Sequence, residues 1–518
     1  MNVAALLSSR AADCGGRAAI IDSSRGQRRT LTFAALDQAV ARTSASLHTC
    51  GLRAGDCVLV LQPMSLELYC VLIAIFRLGL VAMFVDPSSG RRHLDSCCKM
   101  SPPKAFIGSA KAQLLRFISP ALRRIPVKLW MGPLVRRALK NDQPPGGEIS
   151  LHDCPSEAPA LIRFTSGSTG EPKAAFRTHG FLLEQLHVIE TNLNLRAGEV
   201  DIATMPMFVL PNLAAGVTSV IPSVNLRAPG RIDPLPLIRE IQALKPDRIT
   251  ASPSLLERLA DSCAKSSQTL VCFRHIYTGG APVFPRLLDK LERMSPAAEI
   301  AAVYGSTEAE PIAHIRSREI TNADRRIMET GGGLLAGFPV PEIHLRIVRE
   351  DAPWLKGALS DAEFVACCLP AGAAGEVVVS GPHVQPGYLH GIGDEETKFR
   401  VKDSIWHRTG DAGRLDSSGR LWLLGRSSAR IHDSRGTIYP FQVEAAVLLD
   451  PHIVRAALVG HRGKRVLALE LSCTGQPPML QAYANAEIDD VRIFSRLPLD
   501  KRHNAKIDYV ELRRMLWE

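Results

Sequence analysis

Three short segments near the start of the chain alternate between a strand pattern and a helix pattern. The runs at 58–61 and 81–85 are short and apolar, and the run between them, at 66–78, has the length of a helix. Parallel strands need a crossover connection, so a strand, a helix and a second strand at this spacing indicate a parallel α/β layer. The same pattern returns further along the chain, at 202–204, 236–244 and 249–251. We therefore predict an α/β fold of parallel sheets packed with helices.

The pattern of apolar and turn-forming residues changes after Gly375. Short apolar runs such as 376–380 and 421–424 are separated there by Gly, Pro and Asp turns, which indicates a small β subdomain. A last unit begins near Ser427 and contains two strand patterns and a final helix from Asp508.

A chain of 518 residues exceeds what one hydrophobic core usually organises. We predict a large N-terminal domain over 1–426, which includes the β subdomain, and a small, mobile α+β C-terminal domain over 427–518.

The net charge of +10 suits anionic partners such as nucleotides, coenzyme A or anionic lipid, and does not choose among them. Much of it lies in one segment, in Arg116, Arg123, Arg124, Lys128, Arg136, Arg137 and Lys140. This segment is either a solvated helical face or a surface for a membrane or a protein partner.

The twelve cysteines include no C-x-x-C pair, so neither a zinc site nor a disulfide framework is indicated. A reducing cytoplasm is the simpler location, and we predict it. The strongest membrane candidate, 68–76, ends at Arg77 and is far shorter than the roughly 20 residues of a spanning helix. We read it as a buried helix and predict no transmembrane segment.

A loop rich in Gly, Ser and Thr follows the apolar pair Leu161 and Ile162. It reads TSGSTGEPK at 165–173. Glycines let the backbone approach a ligand closely, and the hydroxyls add donors, so such a loop can wrap a polyphosphate. The spacing differs from the Walker pattern G-x-x-x-x-G-K-[ST] and disfavours a P-loop NTPase. The predicted nucleotide-binding residues of this loop are Thr165, Ser166, Gly167, Ser168, Thr169, Gly170 and Lys173.

The loop resembles the signature of the adenylate-forming (ANL) superfamily, which contains acyl-CoA synthetases, peptide-synthetase adenylation domains and luciferases. Further blocks follow in the order of that family: YTGGAP at 277–282, YGSTE at 304–308, GFP at 337–339, RTGD at 408–411, GR at 425–426 and RHNAKI at 502–507. The resemblance spans nearly the entire chain.

The resemblance implies ATP and Mg²⁺ as cofactors and a role for each matched residue. Tyr304 would stack on adenine beside Gly279 and Gly280, and Thr307 would bind the α-phosphate. Glu308 would hold Mg²⁺, which prefers oxygen ligands shared with phosphates. Asp411 would accept the ribose hydroxyls, Arg426 would reach the ribose or phosphate, and Lys173 the departing pyrophosphate.

Lys506 falls where the family carries its catalytic lysine. The predicted catalytic residues are therefore this lysine and the two residues at the phosphates and the metal, Thr307 and Glu308. A substrate carboxylate is ionised near pH 7 and needs no general base to attack phosphorus. Repulsion between anions is the obstacle, and cations and loop amides would offset it.

The segment FVLPNLAAG at 208–216 is apolar where peptide-synthetase domains place an Asp for the amino group. A hydrophobic carboxylic acid is therefore the predicted substrate. The strings at 103–108, 208–213 and 502–507 resemble the olefin-biosynthesis branch, in which the β-hydroxyl of the acid replaces the thiol as acceptor and forms a β-lactone. No nucleic-acid partner is predicted.

Two alternatives stay open. The first is an acyl-CoA synthetase or a ligase that loads an acyl carrier protein, acting in a lipid pathway with partner enzymes. The second is a nucleotide-binding homologue without catalysis. Three departures from the family pattern put the standard delivery of CoA in question. These are Ala429 and Ala505, which replace the residues typical of the hinge and the lysine motif, and the longer segment 431–436.

Overall fold

The computed structural model describes residues 1–86, 90–140, 149–166, 172–350, 358–472, 486–500 and 506–517. The chain divides into two compact units. The first contains Met1–Val224, Pro246–Arg248 and Gln385–Glu395, and the second contains Asn225–Lys245, Ile249–Val384 and Glu396–Glu518. The boundary expected at 427 is a different division, and it stays a prediction.

The strand, helix and strand predicted between 58 and 85 are present, within a series of strands and helices that extends over the first 224 residues. The strands are β1 Ala18–Asp22, β2 Arg29–Thr32, β3 Cys57–Leu61, β4 Val81–Phe84, β5 Ala105–Gly108, β6 Val127–Trp130, β7 Pro159–Ser166, β8 Pro172–Thr178, β9 Val200–Ala203 and β10 Thr218–Ile221. The helices are α1 Ala5–Cys14, α2 Phe33–Thr49, α3 Leu66–Arg77, α4 Arg91–Met100, α5 Ala110–Leu114, α6 Pro120–Arg124, α7 Met131–Lys140, α8 His179–Asn192 and α9 Val209–Ala215.

One sheet of the first unit has the order β6-β5-β3-β4-β7-β8. Its neighbours are parallel except for the hairpin of β7 and β8. A second group pairs β9, β10 and β1 in parallel and adds β2 antiparallel. The apolar helix α3 starts at the cap Ser65, whose side chain accepts from the Leu68 N–H, and every residue up to Phe76 is buried. The predicted buried helix is confirmed.

The remaining chain contributes both parallel and antiparallel strands. The strands are β11 Arg248–Ala251, β12 His275–Gly279, β13 Glu299–Ser306, β14 Ala309–Arg316, β15 Leu334–Pro339, β16 His344–Val348, β17 Ala358–Leu359, β18 Gly375–Ser380, β19 Lys398–Val401, β20 Ser404–Leu415, β21 Leu421–Arg426, β22 Ile431–Asp433, β23 Gly436–Ile438, β24 Ile453–His461, β25 Lys464–Leu471 and β26 Asp490–Phe494. The helices are α10 Pro234–Leu244, α11 Pro253–Lys265, α12 Pro285–Met294, α13 Asn322–Glu329, α14 Asp361–Cys367, α15 Asp394–Thr397, α16 Pro440–Val447 and α17 Tyr509–Trp517.

The strands of the second unit follow the order β11-β12-β13-β14-β15-β21-β20-β18-β16. The relative direction of neighbouring strands changes along this order. Strands β12 and β13 are parallel, whereas each pair from β13 to β16 along this order is antiparallel. The antiparallel part contains the two runs from which the β subdomain was predicted.

The last part of the chain has its own small sheet, in which β25 pairs with β24 antiparallel and with β26 in parallel. Residues of α16, β24 and β25 share a buried core with Ile431 and Ile438. The predicted strands and final helix are present, and the α/β fold class is confirmed. None of the helices in the described part of the chain is long and apolar enough to cross a membrane.

Candidate active site

The Gly/Ser/Thr loop joins the antiparallel strands β7 and β8. Their register sets Thr165 opposite Lys173 and Ser166 opposite Pro172, so the described ends of the motif are paired with each other. Gly167, Ser168, Thr169 and Gly170 lie outside the described residues. The position of the loop at the end of a strand agrees with the predicted strand lead-in.

Lys173 packs against a second segment of the first unit. A Cβ atom on Gly393, whose φ is +99°, would lie 2.7 Å from the Lys173 Cδ atom. The same segment is joined to β8 by a bridge between Ala175 and Tyr388, and the Tyr388 N–H donates to Asp394 Oδ1 over 2.8 Å. The absence of a side chain at Gly393 thus makes space for the aliphatic part of Lys173. The sequence motifs did not predict this role.

Gly279, Gly280 and Tyr304 lie where two parallel strands end. Register pairs Gly279 with Val303, and a Cβ on Gly279 would lie 2.6 Å from the Val303 carbonyl oxygen. Gly280 has a φ of +80°, which favours glycine. In α/β sheets ligands bind beyond the carboxyl ends of parallel strands. The glycines and the tyrosine therefore share the edge at which a ligand is expected.

Thr307 and Glu308 form the two-residue turn between β13 and β14. The Glu308 N–H donates to the Ser306 side-chain oxygen over 3.3 Å. Both side chains are half-buried. The turn carries the two residues beyond Tyr304 at the same end of the strand.

Asp411 connects two other predicted nucleotide-binding residues, Tyr304 and Arg426. Tyr304 donates its hydroxyl to Asp411 Oδ2 over 2.8 Å, and Arg426 Nη1 donates to Asp411 Oδ1 over 2.9 Å. Asp411 and Arg426 are directly paired across β20 and β21. The Asp411 carboxylate raises the pKa of Arg426, while burial and then Asp411 raise the pKa of Tyr304 well above its ordinary value. The phenol is therefore a donor at neutral pH.

A buried carboxylate that the motifs did not predict holds the backbone before Asp411. Glu376 accepts from Arg408 Nε over 3.0 Å and from the Gly410 N–H over 3.2 Å. Thr409 adds a bond from its hydroxyl to the Val377 carbonyl over 2.8 Å. The sequence shows Glu376 as a lone acid at the start of an apolar strand, which could have marked it as functional. Its partner Arg408 could not be predicted, because that contact depends on the pairing of β18 with β20.

His407 is a second residue that the motifs did not predict. Its ring is buried, with Nδ1 3.1 Å from the Thr397 carbonyl oxygen. Burial and then the charge of Lys398 lower the pKa of His407 to about 3. The ring is therefore neutral at physiological pH and serves as interior packing behind the 408–411 motif.

The side chain of Lys506 is exposed, and the hydrogen bonds described for this residue are made by its backbone. Its backbone N–H donates to Asp500 Oδ1 over 3.1 Å, and its carbonyl accepts from the Asp500 N–H over 2.9 Å. A bridge between Leu499 and Ile507 closes the same turn. Asp500 therefore fixes the backbone at Lys506.

The hinge departure at Ala429 has a packing consequence. Ala429 lies in the turn Ser427–Ala429 and is buried, while its neighbour Arg430 pairs with Glu350 over 3.0 Å. A charged residue at 429 would have to be buried in this arrangement. Ala505 lies outside the described residues.

Comparison with known proteins identifies the chain. The model of the AMP-binding enzyme family matches residues 7–389. The chain belongs to that family. Consistent with this, it is similar to the olefin beta-lactone synthetase of Stenotrophomonas maltophilia (strain K279a), with 33% identity over 95% of this chain and 92% of the relative. The AMP-binding enzyme is thus an adenylate-forming ligase, as the motif order predicted.

More distant similarity is also present. The indoleacetate–CoA ligase of Aromatoleum aromaticum is 28% identical over 85% of this chain and 82% of the relative. The amide bond synthetase from Marinactinospora thermotolerans superposes with a TM-score of 0.81 at 22% identity, over 99% of each chain. At that identity the superposition establishes the fold of the AMP-binding enzyme alone.

Proposed function

We propose that this enzyme converts a hydrophobic β-hydroxy acid into its acyl adenylate and then into a β-lactone. The observation that carries the proposal is the similarity to an olefin beta-lactone synthetase over 95% of the chain. Because ATP is a cytoplasmic substrate, the proposal implies a cytoplasmic enzyme.

The apolar character of α9 supports a hydrophobic acid as substrate. Val209, Leu213 and Ala214 are buried there. Asn212 is buried as well, but its amide donates to Asp201 Oδ2 over 2.7 Å and to the Ser219 hydroxyl over 3.1 Å. These bonds occupy the two amide hydrogens, so Asn212 stabilises the segment and is not available to donate to a substrate.

The donor and acceptor set of the second unit suits a nucleotide. The Asp411 carboxylate has about four acceptor positions, and Tyr304 and Arg426 use two of them. The remaining positions suit the two ribose hydroxyls. The half-buried ring of Tyr304 offers a face for adenine, and the glycine backbone at 279 and 280 leaves room beside it.

The residues also fit Mg²⁺, which would neutralise phosphate charge when bound. The described residues contain no cluster of three or more His, Cys, Asp or Glu side chains that could hold a metal ion. Magnesium usually takes one or two carboxylates and completes its shell with substrate phosphates and water. Glu308 supplies such a carboxylate, and Thr307 beside it would bind the α-phosphate.

In the first step a carboxylate oxygen of the acid attacks the α-phosphorus of ATP. The bond from that phosphorus to the bridging oxygen breaks, and pyrophosphate leaves with the electron pair. Lys506 would stabilise the charge that develops on the α-phosphoryl oxygens, and Lys173 would bind the pyrophosphate. No proton is transferred in this step, so the site needs no general base.

In the second step the β-hydroxyl oxygen attacks the acyl carbon. The bond from that carbon to the AMP oxygen breaks, AMP leaves as an anion, and the hydroxyl proton passes to solvent. Holding both groups in one molecule replaces a bimolecular transfer with an intramolecular one. The alternative acceptor is a thiol of CoA or of an acyl carrier protein, which the similarity to a CoA ligase favours.

One assay separates these acceptors. The enzyme is incubated with ATP, Mg²⁺ and 3-hydroxyhexadecanoic acid, with and without CoA, and products are identified by mass. We expect AMP, pyrophosphate and a product equal to the acid less one water, independent of CoA. Hexadecanoic acid is the matched control and should form acyl-AMP without lactone. A product that forms only with CoA would reject the lactone step and leave adenylation intact.

A further inference from the structure

One segment of the first unit carries the charge surplus of the whole protein. Between residues 96 and 140 the sequence has ten basic residues and no acidic one, and the net charge of the entire chain is +10. Eight of these cations have exposed side chains: Lys99, Lys104, Lys111, Arg123, Arg124, Arg136, Arg137 and Lys140. Every charged side chain of the segment is therefore basic, and one of them, Lys104, pairs with Asp56 from outside it over 2.7 Å.

The same segment exposes large apolar side chains. Phe117 is 72% exposed, Leu114 60%, Ile118 55% and Trp130 47%. Three of them lie within five residues, whereas exposed apolar side chains on a soluble protein normally occur singly. We call these four residues, with Arg123 and Arg124, the basic-apolar patch.

The fold brings Trp130 close to the start of the segment that carries the other patch residues. Strand β6 is the terminal strand of its sheet, and Trp130 at its end pairs with Gly108, just before α5 begins. The Gln113 amide donates to the Leu129 carbonyl over 2.7 Å, which ties the end of α5 to this strand. Leu114 therefore lies beside the end of the edge strand that carries Trp130.

Cations flank the apolar side chains on the same turns. Arg123 Nη2 donates to the Phe117 carbonyl over 3.2 Å, so its guanidinium lies next to the exposed ring. Helix α7 begins directly after Trp130 and buries Met131, Val135 and Ala138 while exposing Arg136, Arg137 and Lys140. The outer face of α7 thus continues the positive surface beyond the aromatic residue.

We propose that the basic-apolar patch docks on the surface of an anionic lipid bilayer. Exposed aromatic side chains surrounded by cations suit the boundary between headgroups and acyl chains, where the rings insert and the cations stay at the phosphates. Charge of a single sign over the whole segment matches a continuous anionic surface. A protein partner would need acidic side chains placed opposite these particular cations, whereas a bilayer with anionic headgroups presents negative charge at every position. None of the six patch residues is among those assigned to adenylation.

The proposal is tested first on the wild-type enzyme by co-flotation with vesicles. Vesicles of phosphatidylcholine and phosphatidylglycerol at 3:1 are compared with pure phosphatidylcholine vesicles, in 0.1 M and 0.5 M NaCl. We expect binding to the anionic vesicles at low salt, at least about tenfold weaker binding to neutral vesicles, and loss of binding at high salt, since ions screen surface charges.

Two double variants separate the apolar and the charged contributions. Phe117→Ser with Ile118→Ser should weaken binding to anionic vesicles by at least about tenfold, because two inserted side chains are lost. Arg123→Glu with Arg124→Glu should weaken it by at least about 25-fold, as each cation near the surface contributes about fivefold. Val271→Ser with Val510→Ser, two exposed apolar residues elsewhere, is the matched control and should bind like wild type.

All variants are checked for pyrophosphate release, which should be unchanged. Equal binding to neutral and anionic vesicles, or unchanged binding of both patch variants, would overturn the proposal. Absence of vesicle binding by the wild type would also overturn it. If in that case the patch variants abolish a concentration-dependent self-association seen by sedimentation velocity, the patch is a protein interface instead.

Discussion

Two regions of the second unit hold predicted site residues in different ways. Asp411 and Arg426 are cross-strand partners, and Tyr304 bonds to the same carboxylate, so these side chains are positioned before any ligand arrives. Lys506 has an exposed side chain, and in the described part of the chain this residue is fixed through its backbone, by Asp500. The difference suggests separate tasks. The strand residues would set the affinity for ATP, and the lysine would set the rate of adenylation.

The largest expected effect belongs to Lys506→Ala. Loss of a cation that stabilises the transition state should lower pyrophosphate release at saturating ATP by about 100-fold or more. The fold should persist, because the side chain is exposed. Lys464→Ala, another exposed lysine in the same part of the chain, is the control. Near-normal pyrophosphate release by the Lys506 variant would contradict the assignment.

A buried carboxylate determines how firmly the segment around Lys506 is anchored. Glu444 Oε1 accepts from the Leu458 N–H over 2.9 Å and from the Tyr509 hydroxyl over 2.7 Å, so it ties α17 to the small sheet. Burial raises the pKa of Glu444 to about 7. The folded state thus binds this proton more tightly than the unfolded state does, and the stability it contributes is fully present below about pH 4 and is lost between about pH 4.5 and 7.

Glu444→Gln should remove this pH dependence, because the amide oxygen still accepts both bonds and does not ionise. At pH 8 the variant should be more stable than wild type by about 3 kcal/mol, from a pKa difference of about 2.5 units. Urea unfolding at pH 5 and pH 8 measures it, with Glu487→Gln as an exposed control. If the free energy of unfolding of wild type and of Glu444→Gln changed with pH in the same way, Glu444 would not be the titrating group.

Asp411→Asn tests the strand-held region. An asparagine keeps one acceptor oxygen but loses the charge-assisted bond from Arg426, so ATP affinity should fall by about 10- to 100-fold. Calorimetric titration with ATP measures this, and Asp403→Asn, an exposed residue of the turn before β20, serves as control. Unchanged ATP affinity would remove Asp411 from the site.

Tyr304→Phe gives the smallest expected effect. The ring that would stack on adenine remains, and only the hydroxyl bond to Asp411 is lost. A single neutral donor to a charged acceptor predicts about 3- to 10-fold weaker ATP binding. A loss as large as that of Asp411→Asn would mean that the hydroxyl, and not the ring, is the main contribution of Tyr304.

The sequence predicted the elements better than it predicted their contacts. The buried strands at 58–61 and 81–85 and the helix between them emerge from local apolar patterns, which need no knowledge of neighbours. Asp411 and Arg426 were predicted from motifs, but their direct pairing depends on the register of β20 and β21.

Contacts between distant segments could not be predicted. Gly393 leaves room for Lys173, and Glu376 holds the backbone before Asp411, only because the fold brings together residues far apart in the chain. The burial of Ala429 likewise follows from packing, which a single sequence does not encode locally.

The measurement that tests the division of tasks most directly is the ATP affinity of Lys506→Ala by calorimetry, read beside its pyrophosphate release. We expect an affinity within about twofold of wild type together with a loss of pyrophosphate release of about 100-fold or more. A variant that loses ATP affinity by a similar factor while keeping its rate at saturating ATP would contradict it, since Lys506 would then be part of the binding site.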